Sequence, residues 1–445
     1  MQTLIDILSQ PSILVAAIAL IGLIAQKKSA ADTVKGTTKT FVGFLVISAG
    51  AGILEGSLGP FGAMFEEAFN VAGVVPNNEA VVALALQEYG RNTALIMFFG
   101  MIVNVLIARF TRYKYIFLTG HHTFYLACML AVIFAVAGFN TIGLIAVGSI
   151  ALGIIMTLSP AIVQPFMRQL TGKDDVALGH FSAVGYAASG LVGRLFKGSK
   201  ENSTENIDFP KGLGFLRDST VSIALTMVVM YVIVAFFAGP TFVETELSGG
   251  TNFLVFSLIQ AGSFAAGVFV ILSGVRLVLA EIVPAFRGIS TKLVPNAKPA
   301  LDVPIIYPYA PNAVLLGFFS SFAGGIVSMV VMIFTGGVII LPGVVPHFFT
   351  GAAAGVFGNA TGGIKGALVG SFVNGIIISF LPVFLMPVLG DLGFANTTFS
   401  DTDFGVSGIF FGMLANYGGT IAITIALVII LLLMFIPFGK KKEAN

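Results

Sequence analysis

Apolar runs long enough to cross a lipid bilayer recur along almost the whole chain, at roughly 11–26, 40–58, 92–110, 115–138, 141–160, 219–240, 252–280, 312–341, 347–360, 365–389 and 405–437. A spanning helix needs about 20 apolar residues to cross ~30 Å of hydrocarbon, so about eleven such runs leave little chain for a water-soluble body. The charges agree. Only 10% of the 445 residues are charged and 56% are hydrophobic, whereas a soluble domain carries about 25% charged residues to cover its surface. The predicted fold class is an all-α polytopic membrane protein with about eleven transmembrane helices, forming a single membrane-embedded unit over 1–445.

The same inventory removes several function classes. Net charge is +2, and no basic stretch is long or aromatic-interleaved enough to hold nucleic acid. Cys128 is the single cysteine, which excludes a disulfide within the chain and any cysteine-based metal site. There is no GxxxxGK[ST] loop, no kinase or hydrolase signature, and no histidine or carboxylate pair at i, i+4 that would suggest a metal. Neither a metal nor a cofactor is expected, and the chain is not expected to be an enzyme in itself. The first apolar run follows no basic segment and precedes no small-residue cleavage site, so it reads as a retained helix.

Lysine and arginine between the runs set the expected orientation, because cytoplasmic loops are enriched in them. Basic groups gather at Lys27–Lys39, Arg109–Lys114, Arg194–Lys200, Arg287–Lys298 and Lys440–Lys442. Acidic loops at Glu66–Glu67, Glu244–Glu246 and Asp391–Asp403 alternate with them. The alternation places the N-terminus outside and the C-terminus in the cytoplasm. The most polar stretch, 194–218, is then a cytoplasmic loop joining halves at 11–193 and 219–437. It is either a solvated connector or a docking surface for a soluble partner.

The halves resemble each other weakly. A shift of 225 residues lays Ser48 on Ser273, Asn77 on Asp302, His122 on His347 and Phe124 on Phe349. Duplicated halves with five spans each would lie in opposite orientations, giving two inverted repeats.

Polar residues and helix breakers at membrane depth mark where function concentrates, since both are costly against lipid. Four stretches stand out: LTGHHTF (118–124), ALGHFSAVGYAASG (177–190), VPNNEA (75–80) and LDVPIIYPYAPNAVLLGF (301–318). They read as re-entrant hairpins or helix breaks converging on a polar site. Carboxylates that accept, amides that do both and imidazoles that can do either suit a hydroxyl-rich ligand.

LTGH (118–121), ALGH (177–180) and the 301–318 stretch, with VKGTTKTFVGFLVISAGAGIL (34–54), GVRLVLAEIVPAFRGISTKLVP (274–295) and LPGVVPHFF (341–349), resemble the membrane component, enzyme IIC, of ascorbate-type phosphotransferase systems in the ascorbate–galactitol superfamily. The resemblance implies a bacterial cytoplasmic-membrane permease subunit that is a homodimer, with a scaffold and an elevator-type core domain. It also implies a soluble IIB partner that phosphorylates the arriving sugar, charged through IIA from phosphoenolpyruvate. Substrate contacts would fall on His121, His180 and Asp302 by the resemblance, and on Asn312 by its place in the proline-broken 301–318 stretch. The family's polar glutamines are replaced by Tyr125 and Phe181, and a pocket tyrosine by Glu79. L-ascorbate is an anion and an extra carboxylate would repel it, so a neutral sugar or polyol is equally expected. The alternative reading is an ion- or proton-coupled secondary transporter, with Asp302 or Glu79 carrying the cation.

Overall fold

The computed structural model describes residues 11–70, 73–196, 202–207, 219–336, 338–394 and 396–436. The expected connector at 194–218, and the basic groups Lys197, Lys200, Lys440 and Lys442, lie largely or wholly outside these residues. In chain order the main elements are α1 (Pro11–Ala25), α2 (Ala30–Phe69), β1 (Gly73–Pro76), α3 (Asn78–Phe110), β2 (Tyr115–Phe117), α4 (Gly120–Val136), α5 (Thr141–Thr171), β3 (Ala177–Leu178) and α6 (Ala183–Leu195). The second half follows with α7 (Ser219–Ala238), α8 (Phe253–Leu293), β4 (Lys298–Leu301), α9 (Pro311–Thr335), β5 (Ile339–Ile340), α10 (Ala352–Leu385), β6 (Thr397–Thr398) and α11 (Thr402–Phe435).

The chain is a mostly helical, multi-pass membrane protein. Among the described residues six helices are individually long and apolar enough to cross a bilayer, or seven if the bent pair Ile223–Ala238 and Pro240–Leu247 is one span. The sequence holds about eleven runs, and the difference is local. The runs at 347–360 and 365–389 join into one element bent at Gly363 (φ 62°). Helix α1 has 15 residues and α4 has 17, and α2 is long but carries its apolar stretch between polar turns.

Helices α1, α2, α7 and α8 pack on one another, and α3–α6 pack with one another and with α9–α11. The crossing of α2 and α8 depends on glycine. A Cβ on Gly43 would sit 2.8 Å from the Gly274 carbonyl oxygen, and one on Gly50 would sit 3.2 Å from that of Gly267. Lipid supplies no hydrophobic drive between helices, so close backbone approach at small residues is what holds such a crossing. Helix α4 lies at the centre of the other group, and every residue from His122 to Phe134 is buried. Its near-zero amphipathicity is what complete enclosure demands.

Two three-stranded parallel sheets, ordered β5–β1–β6 and β2–β4–β3, interrupt the helices. Their strands are only two to four residues long, so the protein remains all-α in class. Backbone that leaves a helix inside an apolar bundle must still pair its N–H and C=O groups, and these short ladders do so. Val74 pairs with Ile340 and Pro76 with Thr398. Phe117 pairs with Ala300, and Leu178 with Leu301. Each sheet takes its central strand from one half of the chain and both flanking strands from the other.

At the start of the second sheet, Asp174 accepts from Arg168 Nε (2.8 Å), Lys298 Nζ (2.7 Å) and Gln164 Nε2 (2.8 Å). Burial pushes its carboxyl up, but these hydrogen bonds outweigh it and hold the group well below the usual carboxylate range. The clamp therefore stabilises the fold at neutral pH, and its contribution fades as pH falls below about 4. Asp174→Asn is expected to destabilise the protein at pH 7 by about 1 kcal/mol, the upper end for a solvent-accessible network. Thermal unfolding in detergent, repeated down the pH scale, should show the gap to wild type narrowing in acid. A constant gap would mean the carboxylate's charge is not what stabilises.

Candidate functional site

The carboxyl ends of the strands aim at one place. Strand β2 leads through Leu118 and Thr119 into Gly120, His121 and His122 at the start of α4. Strand β4 leads straight into Asp302, whose carboxylate accepts from Val303 N at 2.8 Å and so caps the next turn. Strand β3 leads through Gly179 into His180. A Cβ at Gly179 would lie 2.6 Å from the Ala300 carbonyl oxygen, so only glycine lets this segment run against β4, where Gly179 N donates to Leu301 O at 2.7 Å. From the first sheet, β1 leads into Asn77, Asn78 and Glu79, and β6 leads through Phe399 and Ser400 into Asp401. Asn77 caps α3 by accepting from Ala80 N at 2.8 Å.

Two carboxylate–imidazole pairs result. His121 Nε2 stands 3.5 Å from Asp302 Oδ2, and both side chains are about one-third exposed (31% and 33%). His122 Nδ1 stands 3.7 Å from Asp401 Oδ2, and both are buried (4% and 3%). The His122 and His180 rings have centroids 3.9 Å apart, and His121 lies 4.7 Å from His122. Tyr186 OH is 2.8 Å from His180 Nδ1. Tyr125 meets the His121 ring edge-on at 5.9 Å. Phe181 stacks on Phe117 at 4.4 Å and turns its edge to His122, forming wall rather than polar lining.

A second polar group holds the segment carrying His180. Asp403 accepts from Ser159 Oγ (2.6 Å) and Val184 N (3.0 Å), and its own N–H donates to Phe181 O (2.9 Å). Thr402 Oγ1 accepts from Gly185 N at 3.1 Å. Asn78 Oδ1 accepts from Ser400 N at 3.0 Å, joining α3 to the approach to α11.

Several buried polar atoms here have no hydrogen-bond partner within the protein: Glu79 Oε2, Thr119 Oγ1, His122 Nδ1, Tyr125 OH and Thr398 Oγ1. Buried polar atoms are nearly always paired. All five lie at strand ends or in the first two turns of α3 and α4.

Of the residues singled out from sequence, the structure brings together His121, His180, Asp302 and Tyr125, with Phe181 in the wall and Glu79 buried at the start of α3. Asn312 is not among them. Its side chain donates to the carbonyls of Thr204 (3.1 Å) and Ile207 (2.8 Å), tying α9 to the inter-half connector. His347 also lies apart, its Nδ1 2.8 Å from Ser321 Oγ. Asp401 and Asp403 had read as part of an acidic loop, and this is corrected: they are 3% and 6% exposed. Their SDTD context, a run of capping residues ahead of a long apolar helix, marks the helix start but not their burial.

Comparison with known proteins bears on what such a site handles. Residues 6–403 match the family described as PTS system sugar-specific permease component, EIIC-GAT. The ascorbate-specific PTS system EIIC component of Mycoplasma pneumoniae (strain ATCC 29342 / M129 / Subtype 1) is 27% identical over 385 residues, covering 76% of this chain. The chain spans 57% of the length of that curated relative.

Proposed function

The chain belongs to the phosphotransferase-system sugar-specific permease family, and on that premise we propose that it is the enzyme IIC subunit importing L-ascorbate or a related sugar or polyol. The observation that carries this reading is the convergence of strand ends from both sheets on unmet polar atoms inside an apolar bundle. A polyhydroxyl ligand offers each hydroxyl as donor and acceptor at once, which suits alternating carboxylates and imidazoles. Glu79 favours an uncharged member of the class, because an ionised carboxylate beside a poorly solvated pocket opposes an anion.

Phosphorylation falls to a separate IIB protein, itself charged through IIA from phosphoenolpyruvate. The permease works as a homodimer in the cytoplasmic membrane, N-terminus outside and C-terminus inside. The group formed by α1, α2, α7 and α8 is the scaffold, and the helices bearing the site are the moving, elevator-type core. Inverted repeats underlie both. The 225-residue shift carries β1 (73–76) onto β4 (298–301), and the sheets exchange strands reciprocally, as a pseudo-two-fold axis requires.

The test is uptake of labelled L-ascorbate and of neutral hexitols into proteoliposomes, with phosphoenolpyruvate and the soluble phosphotransferase proteins supplied inside. Accumulation as a phosphate ester, absent without IIB, is expected. Accumulation of free sugar driven by a proton or Na⁺ gradient alone would replace this reading with the ion-coupled one.

A further inference from the structure

The site has two depths. His121 and Asp302 are open enough to meet a sugar, whereas His122, His180 and Asp401 beneath them are each 3% exposed. We propose that His122, His180 and Asp401 form a binding site for a divalent transition metal of the zinc type.

The donor set is the first support. One ligand atom from each of the three lies within 4.8 Å of the other two. Two imidazoles and a carboxylate are a common zinc donor set, usually with one position left for an outside ligand. Bond lengths of about 2.0–2.2 Å place tetrahedral ligands some 3.3–3.5 Å apart, so the triad closes by about 1 Å on binding. A rotamer adjustment suffices.

The state of each donor is the second support. His122 Nδ1 is buried without a hydrogen-bond partner, yet faces Asp401 Oδ2 at 3.7 Å. The gap is too long for a hydrogen bond in either tautomer, and a cation between the two atoms would satisfy both. The remaining valences are already in use. His180 Nδ1 engages Tyr186 OH at 2.8 Å, and Asp401 accepts from Ser400 Oγ at 3.2 Å through Oδ1 and from the Asn78 side chain. Outer contacts of this kind fix the tautomer and orientation of metal ligands. Phe181 and Phe404 close the sides, their rings 5.9 and 6.0 Å from that of His122, and keep competing water away.

The fourth position points toward the open pair. His121, His122 and Asp302 form an overlapping group whose ligand atoms also lie within 4.8 Å of one another. The shell is completed by Asp302 or, on the reading of this pocket as a sugar site, by a hydroxyl of the sugar. No i, i+4 pair announces these ligands in the sequence because they come from three segments that meet only through the strand ends.

The experiment uses the full chain in detergent, stripped with a chelator and titrated with Zn²⁺ and Co²⁺. One equivalent per chain is expected, with the intense visible absorption of tetrahedral Co²⁺. His122→Ala and Asp401→Asn should each weaken apparent affinity by about a hundredfold, the scale on which loss of metal-site residues acts. His347→Ala, at a histidine outside both groups, should retain stoichiometric binding. Absence of saturable Co²⁺ binding to the wild type overturns the proposal without recourse to any variant, as does binding that His122→Ala leaves unchanged in a protein of wild-type helicity. Intact Co²⁺ binding beside failed sugar uptake would sink the transport reading and leave the metal site standing.

Discussion

Asp302→Asn is expected to raise the KM for sugar uptake roughly thirty- to a hundredfold while leaving protein yield and thermal stability close to wild type. The reason lies in what asparagine keeps and what it loses. Its side-chain oxygen still accepts from Val303 N, as the aspartate does at 2.8 Å, so the turn out of β4 keeps its cap. The charge opposite His121 Nε2, 3.5 Å away, disappears, and with it a charge-assisted acceptor for a ligand hydroxyl. Hydrogen bonds to charged groups contribute about 1.5–3 kcal/mol, and each 1.4 kcal/mol is tenfold. Initial rates of uptake across a substrate series give the measurement, with Asn312→Ala as the comparison. That side chain is committed to Thr204 and Ile207, so its removal should move stability rather than KM. A KM within twofold of wild type in Asp302→Asn would place the sugar elsewhere.

Glu79→Gln should act in opposite directions on charged and neutral ligands. Glu79 is 6% exposed and its Oε2 finds no partner in the protein. An ionised carboxylate about 4 Å from a bound monoanion opposes it by roughly 4 kcal/mol at an effective dielectric of 20. Glutamine removes that repulsion with little change in shape. A carboxyl buried this deeply can take up a proton instead, which caps the penalty, so L-ascorbate uptake should improve by about tenfold in KM, while a neutral hexitol loses an acceptor and binds about tenfold more weakly. Competition between the two ligands in one assay reads the reversal directly. Efficient ascorbate uptake by the wild type, unaltered in Glu79→Gln, would end the charge argument.

Much of this was legible in the sequence, for identifiable reasons. Hydrocarbon thickness turns a spanning helix into a run of fixed length, so the helical, multi-pass character was readable from composition and run spacing. The Gly-His steps at 120–121 and 179–180 and the proline-rich stretch after Asp302 were visible because polar residues and helix breakers are rare at that depth. Asp401 was not legible, because an aspartate ahead of a helix reads as a solvated cap until its neighbours are known. Nor were the strands. At two to four residues each, they are too short for a period-two pattern to rise above an apolar background. Asn312 shows the converse: an amide in a conspicuous motif joined a connector instead of the pocket.

The reciprocal exchange of strands has a consequence for biogenesis. Strand β1 waits for partners at 339–340 and 397–398, and β2 and β3 wait for β4 at 298–301. Neither half can satisfy its broken backbone alone, so the ribosome must deliver nearly four hundred residues before both ladders can close. Until then the unpaired segments sit in the translocon or at the lipid surface as open edges. The nascent N-terminal half is thus a natural client for membrane chaperones, and truncations ending before β6 should be degraded rather than accumulate as half-permeases.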